Sequence, residues 1–236
     1  MTGSSCEELR SACAVIWDGL HAHPFLGELA DGTLPLDKFR FFLEQDNLFL
    51  EEYARCLAFG AAKARSEVEL RYFTSDLNTV LDAELPSNRE LLARVIAMEA
   101  EDRGGSLAMA PANVAYTSYL TALALRGGPV EIMAALLPCA WSYVEIAEGL
   151  AGRRSDHPVY ADWIGFFSSD EVIGLVAKMR RDFDALVAAE RPGPARVDEL
   201  REIFAMSSRL EERFWEMAYT LEQWPDLRVS GAAPQP

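Results

Sequence analysis

The stretch Phe39-Arg40-Phe41-Phe42-Leu43-Glu44-Gln45-Asp46-Asn47-Leu48-Phe49-Leu50-Glu51-Glu52-Tyr53 reads as one long helix. Phe39, Phe42, Asp46, Phe49 and Tyr53 recur at spacings of three, four, three and four, which puts them on a single helical face. No two-residue alternation of the kind a half-buried strand needs runs through it. Working outward, the same helical period recurs over roughly 5–21, 35–64, 67–83, 87–100, 112–126, 129–151, 158–165, 169–190 and 195–222, and convincing strand alternation occurs nowhere. The fold class is therefore all-α.

The breaks between these segments are short. Pro35 and Pro129 suit first-turn positions, where a missing N–H costs nothing, and Ser87-Asn88-Arg89-Glu90 has the spacing of a capping box. Gly104-Gly105, Gly127-Gly128 and Arg191-Pro192-Gly193-Pro194 interrupt the pattern without forming an interdomain linker. A single-domain helical bundle over residues 1–224 is expected, with 225–236 as a mobile tail.

Composition narrows the function. The 236 residues carry 22 Lys+Arg against 37 Asp+Glu, a net charge of −15, which argues against a nucleic-acid partner. Cys6, Cys13, Cys56 and Cys139 are scattered and form no CxxC pair, and the N-terminus lacks a secretory pattern. A reduced, cytoplasmic protein is the expectation. The uncharged run Gly104–Leu125 is long enough for a bilayer, yet Gly104, Gly105, Pro111 and Asn113 make it a loop followed by a buried helix, so no membrane partner is expected.

Chemistry shows where a stripe is interrupted. Asp46 lies inside the Phe39–Tyr53 face, and burying a lone carboxylate costs several kcal/mol, on the order of 3–5, unless a donor, a shifted pKa or a hydrated pocket relieves it. It is either a satisfied structural Asp or a functional one. Leu200, Phe204, Ser207, Glu211, Phe214 and Ala218 form a second stripe that carries Glu211, while its neighbour Glu212 points elsewhere; a slip of one residue would exchange the two. A third stripe, Ile132, Leu136, Cys139, Tyr143, Ile146 and Leu150, holds Cys139 directly after Pro138. A free Cys is ordinarily a small hydrophobe. Here the proline either kinks the helix and opens backbone groups beside the thiol, or restarts it so that the helix dipole favours thiolate. His21, His23 and His157 sit near prolines at helix ends and look structural, and no phosphate-cradling, Ser-elbow or zinc pattern appears. No metal and no cofactor is expected.

Several blocks carry a resemblance. They are Asp31-Gly32-Thr33-Leu34-Pro35 with Gln45-Asp46, Ala115-Tyr116-Thr117-Ser118-Tyr119, and Ala134-Ala135-Leu136-Leu137-Pro138-Cys139-Ala140-Trp141-Ser142-Tyr143. His157-Pro158-Val159-Tyr160-Ala161-Asp162-Trp163-Ile164-Gly165 and Ser207–Tyr219 continue the series. In that order, and over residues 8–224, the chain resembles the TenA/thiaminase II family. The resemblance implies a haem-oxygenase-like bundle without haem, a homotetramer, and action on the 4-amino-2-methylpyrimidine half of thiamin and its breakdown products. It implies Cys139 as nucleophile, Glu211 as acid/base and Asp46 as binder of the aminopyrimidine, with Tyr116, Tyr143, Phe49, Phe167 and Phe214 around the pocket. Glu211, among Phe204 and Phe214, should have a raised pKa, and an ionised Asp46 should accept from the amidine-like edge of the ring.

Phe49 and Phe167 stand where better-known members carry tyrosines. Phe49 is expected to face the same pocket as Asp46, and Phe167 to fold over the site from a helix-to-loop transition. Two readings accompany the aminopyrimidine hydrolase. One is a cysteine-dependent hydrolase of another heteroaromatic amine, and the other is a non-catalytic, ligand-binding regulator.

Overall fold

The computed structural model describes residues 5–99, 108–153 and 155–225. Eleven α-helices cover these residues: α1 (Ser5–Ala12), α2 (Ala14–His21), α3 (Pro24–Asp31), α4 (Leu36–Lys63), α5 (Glu67–Thr79), α6 (Leu85–Met98), α7 (Pro111–Arg126), α8 (Pro129–Leu150), α9 (Pro158–Phe167), α10 (Asp170–Glu190) and α11 (Pro194–Thr220). The all-α expectation holds, with no strand among the described residues. The expected tail lies outside them apart from Pro225, and the Gly104-Gly105 break lies outside them entirely.

Helix α8 is the axis of the bundle. It is long and apolar enough to cross a membrane, yet 83% of its most apolar window is buried by its neighbours. It packs against α4, α7, α9, α10 and α11, while α4 also meets α5, α6, α7 and α11. Those crossings bring the interrupted stripes of α4, α8 and α11 toward one another. Phe42 of α4 stacks on Trp215 of α11 with ring centroids 5.0 Å apart, and Tyr143 of α8 meets the same indole at 5.2 Å.

Local chemistry departs from the sequence reading at four places. The first expected helix breaks at Cys13, whose φ of −102° and ψ of 14° leave the helical region. Helix α3 was not anticipated. His23 Nδ1 accepts from the Phe25 N–H at 3.2 Å, Pro24 fills the first turn, and Gly32 at φ 74° ends the helix; a Cβ there would meet Ser155 Oγ at 2.9 Å. Pro35 caps α4 from outside instead of occupying its first turn.

The fourth departure matters most. The expected break near residue 85 is a π turn, Val80–Glu84, through which α5 continues into α6. The capping box predicted at Ser87 does not form because the helix is already running there, with Pro86 in its first turn. The extra residue shifts the register of the inward face, and such single π turns recur at functional sites.

Candidate active site

Pro138 stands inside α8, so of the two geometries open at Cys139 the continuous helix is the one adopted. The missing N–H leaves the Ala134 carbonyl without its helical donor, and two side chains add hydrogen bonds to the next carbonyls. Ser207 Oγ donates to the Ala135 carbonyl at 2.5 Å, and the Tyr53 hydroxyl donates to Leu136 at 3.2 Å.

Cys139 follows this irregularity and donates through its thiol to the Glu211 carboxylate of α11. Tyr116 of α7 reaches the same glutamate, its hydroxyl 2.6 Å from Oε1, and also lies 2.9 Å from Ser207 Oγ. A continuous polar chain thus runs from Cys139 through Glu211, Tyr116 and Ser207 to the Ala135 backbone. Glu212 is exposed, which resolves the one-residue ambiguity in favour of Glu211.

A cavity of about 350 Å³ lies against Cys139, enclosed by α4, α5, the π turn, α8, α9 and α10. Its polar wall residues are Cys139, Tyr143, Tyr53, Thr79, Ser169 and the carboxyls of Asp76, Glu84 and Glu171, and the rest, Phe167 among them, are aliphatic and aromatic. None of its wall residues is Lys, Arg or His. Its size falls at the lower end of small-molecule pockets, roughly 300–1,000 Å³.

Asp46 is buried, accepts from Asn88 Nδ2 of α6, and acts electrostatically on Glu211, Cys139 and Tyr143. Phe49 and Phe214 pack at 5.6 Å, and Phe49 meets Tyr116 at 4.9 Å. Of the eight residues singled out from sequence, Cys139, Tyr143 and Phe167 line the cavity. Asp46, Tyr116, Glu211, Phe49 and Phe214 lie outside that wall and join it through Cys139 and Tyr143.

Two expectations for the aromatics need correction. Phe49 does not open on the cavity; Tyr53, Tyr116 and Phe214 enclose its ring. Phe167 is no loop lid, because it is the last residue of α9, is 4% exposed, and packs on Tyr143 at 5.0 Å and Trp163 at 4.9 Å.

Burial dominates the titration of the site. It pushes Glu211 up to about 8, with Tyr116 and Cys139 hydrogen bonds opposing and Asp46 adding to the rise. Asp46 is driven up to about 7, again by burial, with Asn88 opposing. That corrects the expectation of a fully ionised Asp46: donors from a ligand are needed to hold its charge at neutral pH. Cys139 is raised well above the usual thiol range by burial, then by the charges of Glu211, Glu84 and Asp46, so it rests as a thiol.

Counting hydrogens gives Glu211 the same resting state. Three contacts, Glu211–Tyr116, Tyr116–Ser207 and Ser207–Ala135, need three hydrogens, and the two hydroxyls supply two. With Tyr116 donating to Glu211 and Ser207 to the carbonyl, the Tyr116–Ser207 contact has no hydrogen left, and a proton on Glu211 supplies one by freeing the Tyr116 hydrogen. An ionised Glu211 leaves one close oxygen pair without a hydrogen.

Sequence reasoning missed Glu84, Asn88 and Asp76. Asn88 was assigned to a cap that does not form. Glu84 fell just past a predicted helix end, and nothing in the sequence announces the π turn that turns it inward. It is pushed up to about 8 by burial and by the charges of Asp46 and Glu211. Asp76, pushed up to about 7 chiefly by burial, pairs with Lys178 at 4.0 Å. The histidines serve as expected at helix ends: His23 caps α3, and His157 precedes α9 and stacks on Tyr160 at 4.1 Å.

Known proteins resemble this chain in sequence and fold. A family model described as TENA/THI-4/PQQC matches residues 10–221. An aminopyrimidine aminohydrolase of Bacillus subtilis is 36% identical over 223 residues, which cover 94% of this chain and 93% of that protein. A solved TenA homologue from P. horikoshii OT3 superposes with a TM-score of 0.79 at 30% identity, covering 92% of this chain and 99% of its own. A solved Shewanella denitrificans domain with a heme oxygenase-like fold gives 0.61 at 15% identity, covering 92% of each chain, and speaks to the fold alone. The bundle is thus of the haem-oxygenase-like type, and this chain belongs to the TENA/THI-4/PQQC family.

Proposed function

We propose that this chain is an aminopyrimidine aminohydrolase of the thiaminase II type, which hydrolyses the exocyclic C–N bond at the 5-methylene of a 4-amino-2-methylpyrimidine in thiamin salvage. The observation that carries the reading is the buried thiol of Cys139 hydrogen-bonded to Glu211 at the wall of a solvent-accessible cavity. The B. subtilis relative bears the name of the same activity.

In this reading Glu211 takes the proton of Cys139 as sulfur bonds to the ring carbon beside the substituted one, then passes it to the adjacent ring nitrogen. The 4-amino group donates its electron pair through the ring, and the amine leaves the 5-methylene with the C–N bond pair. Asp46 accepts from that amino group and supports the positive charge developing on it. Water adds to the exposed methylene carbon and surrenders a proton. The C–S bond then breaks, and sulfur recovers its hydrogen through Glu211. Each role falls to a group with a displaced pKa: a carboxyl near 8 exchanges protons readily around neutrality.

The absence of phenols at Phe49 and Phe167 favours a second reading, in which the same chemistry serves a different heteroaromatic amine. A panel of thiamin, the 5-aminomethyl pyrimidine and its N-formyl form separates the two readings, with ammonia and pyrimidine alcohol as readouts. Equimolar ammonia and alcohol from the aminomethyl compound supports the first reading. Ligand-induced stabilisation without turnover of any of the three would support a regulator instead. We further propose a cytoplasmic homotetramer, as the family resemblance implies; light scattering of the purified protein tests the assembly.

A further inference from the structure

We propose that Glu84 binds the positively charged leaving amine of the substrate, so that this chain prefers pyrimidines whose exocyclic nitrogen carries a proton over those in which it is acylated. The inference deepens the function just proposed and rests on it.

The reacting methylene must lie beside Cys139, and the leaving nitrogen has one place to go. On the far side of Cys139, Tyr116, Glu211, Phe49 and Phe214 form a packed layer. Away from that layer the cavity runs toward the π turn and α10, past Val80, Ala83, Val172, Val176 and Met179. Aliphatic walls offer an ammonium group nothing. Of the polar groups there, Thr79, Ser169, Asp76, Glu171 and Glu84, only Glu84, the last residue of the π turn, is a half-buried carboxyl without a described partner and within electrostatic reach of Cys139, Asp46 and Glu211.

Glu84 makes no hydrogen bond or ion pair with another described residue, whereas of the other two wall carboxyls Asp76 already pairs with Lys178 at 4.0 Å and Glu171 is exposed to solvent. A half-buried carboxyl among two like groups, with no cation on the wall, is relieved by a ligand that brings one. Burial first, and then the charges of Asp46 and Glu211, push it up to about 8. Apolar surroundings strengthen the attraction once the cation is in place.

The chemistry agrees. When a protonated amine departs, the C–N pair goes to nitrogen and neutral ammonia leaves, so no further proton is needed. A formamide nitrogen carries no positive charge, so it offers Glu84 no cation to bind and gains nothing from it.

The test is kcat/KM of the wild type and Glu84→Gln for the 5-aminomethyl pyrimidine and its N-formyl form. The ratio of amine to formamide should fall about tenfold or more in the variant, the scale of one charge-assisted hydrogen bond. Glu84→Ala should shift the ratio in the same direction, so the comparison survives a folding defect in either variant. A ratio within about twofold of wild type, whatever the absolute rates, overturns the proposal. Should the wild type turn over neither pyrimidine, the proposed function falls and this inference with it; an active wild type with an unmoved ratio removes this inference alone.

Discussion

Ser207→Ala should make Glu211 more acidic, although Ser207 bears no charge and touches no substrate. In the wild type the ionised form of Glu211 is penalised because one of three close oxygen contacts, at 2.6, 2.9 and 2.5 Å, then lacks a hydrogen. Removing Ser207 Oγ deletes two of those contacts. Tyr116, which already donates to Glu211, then no longer faces an oxygen that lacks a hydrogen. Relief of one such contact is worth about 0.5–1.5 kcal/mol, and one pKa unit is about 1.4 kcal/mol, so the carboxyl should fall by up to about one unit from its value near 8.

The sign follows from the proposed chemistry. Cys139 rests as a thiol, so addition needs an ionised Glu211 to receive its proton, and kcat/KM should rise as pH climbs through the Glu211 pKa. In Ser207→Ala that limb moves to lower pH. The groups facing Glu211 that also titrate are Asp46, Tyr53, Glu84, Cys139, Tyr116 and Tyr143, all unchanged by the substitution. Ammonia release from the aminomethyl pyrimidine, followed from about pH 5.5 to 9.5, reads the limb. The Ala135 carbonyl loses its donor at a cost of about 1–3 kcal/mol, so the assay belongs well below the melting temperature. A limb that stays in place, or moves upward, would refute the hydrogen count.

Glu211→Gln keeps shape without cycling a proton, so turnover should fall about 10²–10⁴-fold while ligand still raises Tm; an unchanged rate removes Glu211 from the mechanism. Phe167→Tyr places a hydroxyl in the cavity wall and should cost less than about 1 kcal/mol, whereas Phe49→Tyr buries one among Tyr53, Tyr116 and Phe214 and should cost about 1–3 kcal/mol. Equal melting temperatures for the two variants would contradict that placement. Stability should also depend on pH. The folded pKa values of Asp46, Glu84 and Glu211, near 7 to 8, lie above the unfolded values of about 4, so the folded state holds more protons across that window. Stability is then greatest at the acid end and is lost as pH rises toward 8; a Tm that climbs from about pH 5.5 to 8 would be the wrong sign.

Much of this was legible because carboxylates and a proline are conspicuous on apolar stripes. Asp46, Cys139 and Glu211 stood out at three- and four-residue spacing, and α4, α7, α8 and α11 fell within a few residues of their expected bounds. The spacing of a stripe says which residues share a face, and not which neighbour each will meet. The chain from Glu211 through Tyr116 and Ser207 therefore waited for coordinates. Helix α3 escaped because eight residues containing Gly27 make a weak periodic signal, closed by caps from His23 and Gly32. Glu84 escaped because a π turn leaves no compositional trace: the sequence Val80-Leu81-Asp82-Ala83-Glu84 has nothing that breaks a helix. Phe49 shares a face with Asp46 as its spacing requires, yet that face is filled by α7 and α11, so the ring meets aromatics instead of ligand.

The central claim is that Cys139 opens the aminopyrimidine ring to loss of its amine. Turnover of the 5-aminomethyl pyrimidine by wild type and Cys139→Ser, measured side by side as pyrimidine alcohol formed, tests it most directly. The expected result is a fall of about 10³-fold or more in the variant, with ligand still raising its Tm, since serine conserves the shape of the wall but lacks a comparable nucleophile. A variant that keeps its rate within about tenfold of wild type would contradict the account, because no other thiol lines the cavity.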